Sequence, residues 1–229
     1  MSDIAAIKQE IQFHIDADEY DSAIGLLSDL LNETSINEKT QVWALRLRAH
    51  CYSWCAGMDD AASVEEDIPE ADEADEDVEK ALSDLNRVLQ MPSLTSQERV
   101  EVLFERITEL RWLARYEDAV QDCCRILDTS NLDIDDVTNA YFTRADLYLC
   151  LEQSGKALDD LGAILSNDNI LQSTRAETLE FRADVWVQAG EIYKALDDLE
   201  VAMDIFKSME YACGIKRVAE KIYAYSSMV

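Results

Sequence analysis

Four arginines and four aspartates recur along the chain and are the residues best placed to form a charged site. The last three of these arginines each precede an alanine by the same number of residues, and an aspartate follows each of those alanines by three positions. The arginines are Arg48, Arg106, Arg144 and Arg182, and the aspartates are Asp84, Asp122, Asp160 and Asp198. A row of guanidinium groups could bind an acidic peptide, whereas bidentate arginine–carboxylate pairs could join two helices.

The distribution of these residues favours pairing. The first repeat has Glu10 and Leu26 at the two corresponding positions, so arginine and aspartate are present together or absent together. On a helical wheel the arginines lie near the apolar stripe rather than opposite it. We therefore predict four structural ion pairs, in which loss of the arginine would leave a carboxylate unsatisfied.

Histidine and cysteine chemistry is sparse. The chain has two histidines, and His14 falls on an apolar stripe, which predicts a packed side chain. His50 beside Cys51, with Cys55 one turn later, resembles half of a zinc site, but the second ligand pair is missing. No phosphate-binding glycine loop or nucleophile elbow occurs. These observations predict no catalytic residues, no metal and no cofactor, and hence a protein that is not an enzyme.

The charge of the chain restricts its partners. The formal net charge over 229 residues is −28, which repels nucleic-acid phosphates and anionic membranes. A protein or peptide with basic and apolar character is the predicted partner, although charge that only maintains solubility accounts for the same composition. The first residues lack a signal-peptide pattern, and the six cysteines lack the spacing of a secreted scaffold. A cytoplasmic location is therefore predicted.

Repeating helix pairs are the elements that would position these residues. Ala81, Ala119, Ala157 and Ala195 follow one another at equal intervals, and apolar or small residues four and seven places after each share its helix face. Around each repeat arginine, apolar or small residues at −3, +1 and +4 form a second stripe. Each unit therefore predicts two helices joined by a short turn, and the predicted fold class is all-α.

The second repeat contains an insertion. Arg48 lies much farther from its alanine, Ala81, than Arg106 lies from Ala119. The excess is close to the length of an acidic segment between them, residues 59–79, which contains twelve acidic side chains and no lysine or arginine. Such a segment cannot bury enough apolar surface to offset the entropy of ordering it, which predicts a disordered acidic loop over residues 57–79.

Repeats four and five resemble tetratricopeptide repeats. The matching sequences are Arg144-Ala145-Asp146-Leu147-Tyr148 with Gly155-Lys156-Ala157-Leu158-Asp159-Asp160-Leu161, and Arg182-Ala183-Asp184-Val185-Trp186 with Ala195-Leu196-Asp197-Asp198-Leu199. The period is longer than the family's usual length of about 34 residues, and the helix-ending proline is missing. The resemblance implies a right-handed α-solenoid of about five helix hairpins plus a C-terminal capping helix. It also implies a binding scaffold.

A single domain over residues 1–229 is predicted. Its repeats would span about 4–32, 42–91, 100–130, 138–167 and 176–207, with the C-terminal helix at 209–226.

A face of the first helices is predicted to bind the partner. Positions −5, −2, +2, +5 and +6 from each arginine lie opposite the apolar stripe and would line a concave groove. In the middle repeats these positions hold aromatic residues and arginines, which are enriched at binding hot spots. The predicted groove residues are Trp43, Arg46, His50, Trp54, Phe104, Thr108, Arg111, Trp112, Asn139, Phe142, Asp146, Glu180 and Asp184. Packing of the aromatic side chains between repeats explains the pattern equally well.

Two other functions fit the sequence. The acidic segment 59–79 could itself hold a basic protein, as an acidic chaperone would. Alternatively, the C-terminal helix could mediate formation of a homo-oligomer, because Ile215, Val218, Ile222 and Tyr225 form an apolar stripe on it.

Overall fold

A computed structural model describes residues 4–57 and 71–228, and the regular structure in those residues is α-helical throughout. Five consecutive helix pairs and one further helix account for it, which confirms the predicted fold class. The helices are α1 (Ile4–Asp16), α2 (Tyr20–Asn32), α3 (Glu38–Cys55), α4 (Ala71–Leu89), α5 (Ser96–Trp112), α6 (Tyr116–Leu127), α7 (Ile134–Cys150), α8 (Ser154–Leu165), α9 (Gln172–Gln188), α10 (Ile192–Ser208) and α11 (Ala212–Ser226). Within the described ranges, no helix has the length and apolar content needed to cross a bilayer.

Polar caps fix the start of the first helix in three of the repeats. Asn37 and Asp133 each accept a hydrogen bond from the amide three residues later, at 2.9 and 2.8 Å. Thr95 forms a reciprocal capping box with Glu98. These caps satisfy amides that have no partner inside the helix. As a result α3, α5 and α7 begin at residues 38, 96 and 134, each four residues before the range predicted for its repeat.

The turns inside the later hairpins place one residue in the left-handed region. Ala114, Glu152 and Gly190, at equivalent positions of successive repeats, have φ angles of 52°, 57° and 78°. After α7, the amide of Gln153 donates to the carbonyl of Tyr148 at 2.7 Å and closes the helix end. Only one of these three positions is glycine. At Ala114 and Glu152 the Cβ opposes the left-handed conformation by about 1 kcal/mol, so the packing of the two helices must impose the turn.

The chain divides into two compact units, Met1–Asp122 and Cys123–Val229, and each has its own core. The alanines that mark the period are all 0% exposed, namely Ala23, Ala81, Ala119, Ala157 and Ala195. In each unit the apolar residues four and seven places later are buried beside them. A larger side chain at these alanines would overpack the helix contact, typically at a cost of about 1–3 kcal/mol.

Helix α4 extends into the segment predicted to be a disordered acidic loop. It begins at Ala71, so the prediction of disorder is wrong for residues 71–79. Residues 58–70 of the predicted loop lie outside the described residues.

Two interactions stabilise the N-terminal half of α4. Val78 is 0% exposed and packs against Ala56, with Leu113 beside them. Lys80 forms ion pairs one turn back with two of the acidic residues, at 2.9 and 3.0 Å. Extending an existing helix requires no new nucleation. One buried valine and one lysine therefore suffice where the composition predicts disorder.

Helix α11 closes the second unit. Val218 is 0% exposed and lies in the same cluster as Phe206. The other residues of its apolar stripe, Ile215, Ile222 and Tyr225, pack against this cluster. The stripe predicted to mediate self-association therefore faces the core of its own chain.

Candidate functional site

The structure brings each predicted arginine and aspartate together within one helix hairpin. In the fourth repeat, the Nε and Nη2 groups of Arg144 donate to Oδ2 and Oδ1 of Asp160 at 2.8 and 2.6 Å. The same two-bond geometry joins Arg48 to Asp84, Arg106 to Asp122 and Arg182 to Asp198. The four aspartates are between 1% and 7% exposed, so each carboxylate depends on its arginine for solvation.

Three of these arginines also reach the preceding repeat. In each case Nη1 donates to a side chain on the second helix of that repeat, at the same position relative to the arginine. The donor–acceptor pairs are Arg48 with Ser28 Oγ, Arg106 with Asn86 Oδ1 and Arg144 with Cys124 Sγ. Each of these arginines therefore joins three helices and fixes how one hairpin packs on the next.

The fifth repeat has no such bond, because the corresponding position before Arg182 is Gly162. A Cβ added to Gly162 would meet no atom within 4 Å. Gly162→Ser is expected to supply the acceptor and to remove a glycine from a helix interior, raising the free energy of unfolding by about 1 kcal/mol. Gly162→Ala is the matched control in urea unfolding. The free energy of unfolding of Gly162→Ser should equal or exceed that of Gly162→Ala, although serine is the poorer helix former. A clearly lower value for the serine variant would contradict the added hydrogen bond.

The arginines are enclosed by these contacts. Hydrogen bonding to Asp160 raises the pKa of Arg144 above its ordinary value, so the guanidinium group stays charged. The four arginine side chains are between 13% and 25% exposed. Their arrangement favours the structural interpretation over a basic surface for acidic peptides.

A cavity of about 630 Å³ lies within the first unit, between α3 and α5, the first helices of repeats two and three. This volume is within the usual range of about 300–1,000 Å³ for ligand sites. Four of the predicted groove residues line it, namely Trp43, Arg46, His50 and Thr108. Val42 and Leu47 from α3 and Leu85 from α4 add apolar surface. We call this cavity the α3–α5 groove.

Carboxylates occupy one wall of the α3–α5 groove. Glu98, Glu105 and Glu109 of α5 line the cavity, and Glu101 lies one turn before Glu105 on the same helix. Arg46 donates to Glu105 from Nη2 at 2.5 Å and to Glu101 at 3.1 Å. The hydroxyl of Ser53 lies 2.5 Å from Oε1 of Glu109, which is 6% exposed. Hydrogen bonding to Glu105 raises the pKa of Arg46, so the guanidinium remains a cation.

The sequence reasoning missed Glu105 and Glu109. They lie at −1 and +3 from Arg106, beside the positions −2 and +2 that the helical wheel selected. The available signal was the spacing of four between successive glutamates on one helix, which places them on one face.

The other predicted groove residues of the first unit do not line the cavity. Trp54 stacks on Tyr20 with ring centroids 5.3 Å apart, and its Nε1 donates to Nε2 of His50 at 2.7 Å. It therefore packs onto the first repeat, as the alternative interpretation of the aromatic pattern predicts. The remaining three, Phe104, Arg111 and Trp112, lie on α5 but are not among the residues that line the cavity.

Three of the predicted groove residues of the second unit lie on α7, and two lie on α9. Asn139 is exposed and Asp146 is partly buried, both on α7. Phe142 stacks on Phe181 of α9 with ring centroids 6.0 Å apart.

Helix α11 lies against Glu180 and Asp184, two of the residues predicted to bind a partner, and supplies their hydrogen-bond donors. Glu180 is 5% exposed and accepts hydrogen bonds from Nε and Nη2 of Arg217 at 2.6 and 2.7 Å. Asp184 accepts hydrogen bonds from Lys221 at 2.7 Å and from the hydroxyl of Tyr225 at 2.6 Å. The helix wheel identified this face correctly as polar, but the period did not reveal that another helix lies on it.

Acidification should weaken the packing of α11. Burial alone would raise the pKa of Glu180, but hydrogen bonds from Arg217 and Lys221 outweigh it and lower the pKa. A carboxyl with a lowered pKa in the folded state stabilises the fold above its unfolded pKa, near 4.5, and loses that contribution as the pH falls through the folded value. We expect Tm to fall less steeply below about pH 4.5 in Glu180→Gln than in the wild type. Equal slopes would contradict this.

Metal chemistry finds no support among the residues that the structure describes. No group of three histidine, cysteine, aspartate or glutamate side chains there is arranged as metal ligands. Burial raises the pKa of the Cys51 and Cys55 thiols to about 11, so the half-site beside His50 holds protonated sulfur.

Solved structures identify the architecture. Neither a protein-family model nor a curated protein matches the sequence. The structure of MamA 41-end from Desulfovibrio magneticus RS-1 superposes with a TM-score of 0.62 at 11% identity, over 91% of this chain and 97% of that one. The fold is a tetratricopeptide-like α-solenoid.

Two further solenoids superpose over a similar share of the chain. A Podosopora anserina putative kinesin light chain with nearly identical TPR-like repeats gives a TM-score of 0.64 at 13% identity, covering 91% of this solenoid and 97% of that chain. YrrB, a TPR protein with an unusual peptide-binding site, gives 0.56 at 15% identity, covering 92% and 88%. At such identities the similarity establishes the fold and leaves the partner to be inferred from the site.

Proposed function

We propose that this chain is a non-enzymatic protein-interaction module that binds a segment of a partner protein in the α3–α5 groove. The observation that carries the proposal is the cavity itself, which joins aromatic and aliphatic walls to a row of carboxylates. Such a site suits a segment with an apolar anchor beside a basic residue. The proposal places the protein in the cytoplasm, where its six free cysteines stay reduced.

The arrangement of the repeats supports this assignment. The Arg–Asp pairs occupy the interior of the hairpins, so the charged side chains that recur with the period hold the scaffold together. Trp43 and His50 of α3 and Thr108 of α5 line the cavity. A rigid scaffold with side chains converging on one cavity is the usual arrangement of a binding site.

The competing candidate is an acidic chaperone that contacts a basic protein through residues 59–79. The start of α4 favours it, because Asp75, Glu76 and Glu79 are exposed there. Binding of that kind would depend on long-range charge and would weaken steeply with added salt.

Peptide selection distinguishes the two candidates. A library of random dodecapeptides is selected on the wild-type chain, and affinities are then measured by fluorescence anisotropy at low and at high salt. Thr108→Tyr fills the groove from an exposed position, and Ser83→Tyr on α4 is the matched control. We expect Thr108→Tyr to weaken binding at least tenfold, an effect of about 1.4 kcal/mol. Ser83→Tyr and deletion of residues 59–70 should leave the affinity unchanged. Loss of binding on the deletion, with no effect of Thr108→Tyr, would refute the groove.

A further inference from the structure

Resting on the proposed function, we infer that the Glu105–Glu109 step of α5 binds a lysine or arginine side chain of the partner. The cationic head would lie between the two carboxylates, and its aliphatic stem would lie against the apolar wall of the α3–α5 groove. This assigns the charged part of the partner segment to one end of the cavity.

The same row of glutamates already binds a guanidinium group in this structure. Arg46 from the neighbouring helix lies between Glu101 and Glu105, one turn before the proposed site, with bonds of 2.5 to 3.2 Å. The geometry that holds this cation is two carboxylates four residues apart on a groove-facing helix. Glu105 and Glu109 repeat that spacing at the next turn.

The second unit uses the same arrangement independently. Glu180 and Asp184 are also four residues apart on the first helix of their repeat, and they receive Arg217 and Lys221 from α11. In that case the bound cations belong to an amphipathic helix of the same chain. Carboxylates at this spacing therefore bind basic side chains from an adjacent segment in both units.

The cavity shows where a cation from outside the chain would lie. Glu105 and Glu109 both line it, and exposed His50 and Thr108 border the same end. Glu109 is 6% exposed, and charge interactions strengthen where water is excluded. An anionic side chain would instead meet these two carboxylates, so the charge of the wall selects a basic partner residue.

Lys39 and Arg46 also line the cavity. Lys39 lies in the first turn of α3, next to Glu98, at the opposite end of the groove. Arg46 is held by its two glutamates. The apolar surfaces of Val42 and Leu47 lie on α3, across the groove from the glutamates. They suit the methylene groups of a lysine or arginine.

The test uses two fluorescein-labelled heptapeptides that differ at one position. One has lysine between two leucines, and the other has norleucine, which keeps the length of the stem and removes the charge. We expect the wild-type chain to bind the lysine peptide about tenfold more tightly at physiological salt. Glu109→Gln should reduce this preference to near unity, whereas Glu117→Gln, at an exposed position on α6, should preserve it.

A second pair of variants avoids the buried position. Thr108→Lys places a fixed cation at the edge of the cavity and should remove the preference for lysine, whereas Ser83→Lys, which adds the same charge at an exposed position of α4 outside the cavity lining, should keep it. Equal binding of the two peptides by the wild-type chain, or no binding of either, would overturn the cation site. Binding in the groove is tested separately, by the effect of Thr108→Tyr on the affinity for the selected dodecapeptides. That measurement does not use either heptapeptide.

Discussion

Replacement of Arg144 by alanine is expected to lower the free energy of unfolding by about 3 kcal/mol. The substitution leaves the carboxylate of Asp160, which is 5% exposed, without its two guanidinium donors. It also removes the bond to Cys124 that joins the hairpin to the preceding helix. The guanidinium lies 5.5 and 5.9 Å from the ring centroids of Tyr141 and Tyr148, and those contacts are lost as well.

Urea unfolding followed by circular dichroism measures this loss. Lys216→Ala, whose side chain is 80% exposed, is the control and should change stability by less than about 0.5 kcal/mol. Replacing both partners, as in Arg144→Met with Asp160→Leu, should recover most of the loss because no buried charge remains. An unchanged unfolding curve for Arg144→Ala would show that the pair does not hold the hairpin.

Replacement of Glu180 by lysine is expected to have an effect of similar size, about 3 kcal/mol or more, concentrated in α11. Glu180 is 5% exposed and receives both Arg217 and Lys221. A third cation in that position would replace attraction with repulsion where water cannot screen it. Release of α11 would then expose the apolar surface of Phe206 and Val218.

Hydrogen exchange followed by mass spectrometry locates this effect. In Glu180→Lys the amides of α11 should exchange much faster, while those of α1 to α5 should keep wild-type rates. Glu177→Lys is the matched control, one turn earlier on the same helix and exposed. It should leave α11 protected. Equal protection of α11 in the wild type and in Glu180→Lys would mean that apolar packing alone holds this helix.

Contacts inside one hairpin were predictable from the sequence. Outside the insertion in the second repeat, the repeat alanines, the arginines and the aspartates recur with one period, and a helix of 3.6 residues per turn converts that period into faces. The pairing of Arg144 with Asp160 follows because both positions are occupied or vacant together in every repeat.

Contacts between hairpins were harder to predict from the sequence. Glu105 and Glu109 face the α3–α5 groove, and Glu180 lies beneath α11, because of how one helix is rotated against the next. The period does not encode this rotation. Composition also gave the wrong prediction for residues 71–79 of α4, where buried Val78 and the ion pairs of Lys80 outweigh the repulsion among acidic residues. The left-handed turns at Ala114 and Glu152 gave no signal, because neither residue type favours that conformation.

The most direct test of the binding proposal is to find where a bound peptide touches the chain. The tightest dodecapeptide from the selection is synthesised with a diazirine photo-crosslinker, irradiated in complex with the wild-type chain, and its attachment sites are mapped by mass spectrometry. We expect attachment on α3 between Val42 and Ser53 and on α5 between Glu101 and Glu109. Attachment confined to residues 58–79 or to α11, with α3 and α5 unmodified, would contradict the proposal.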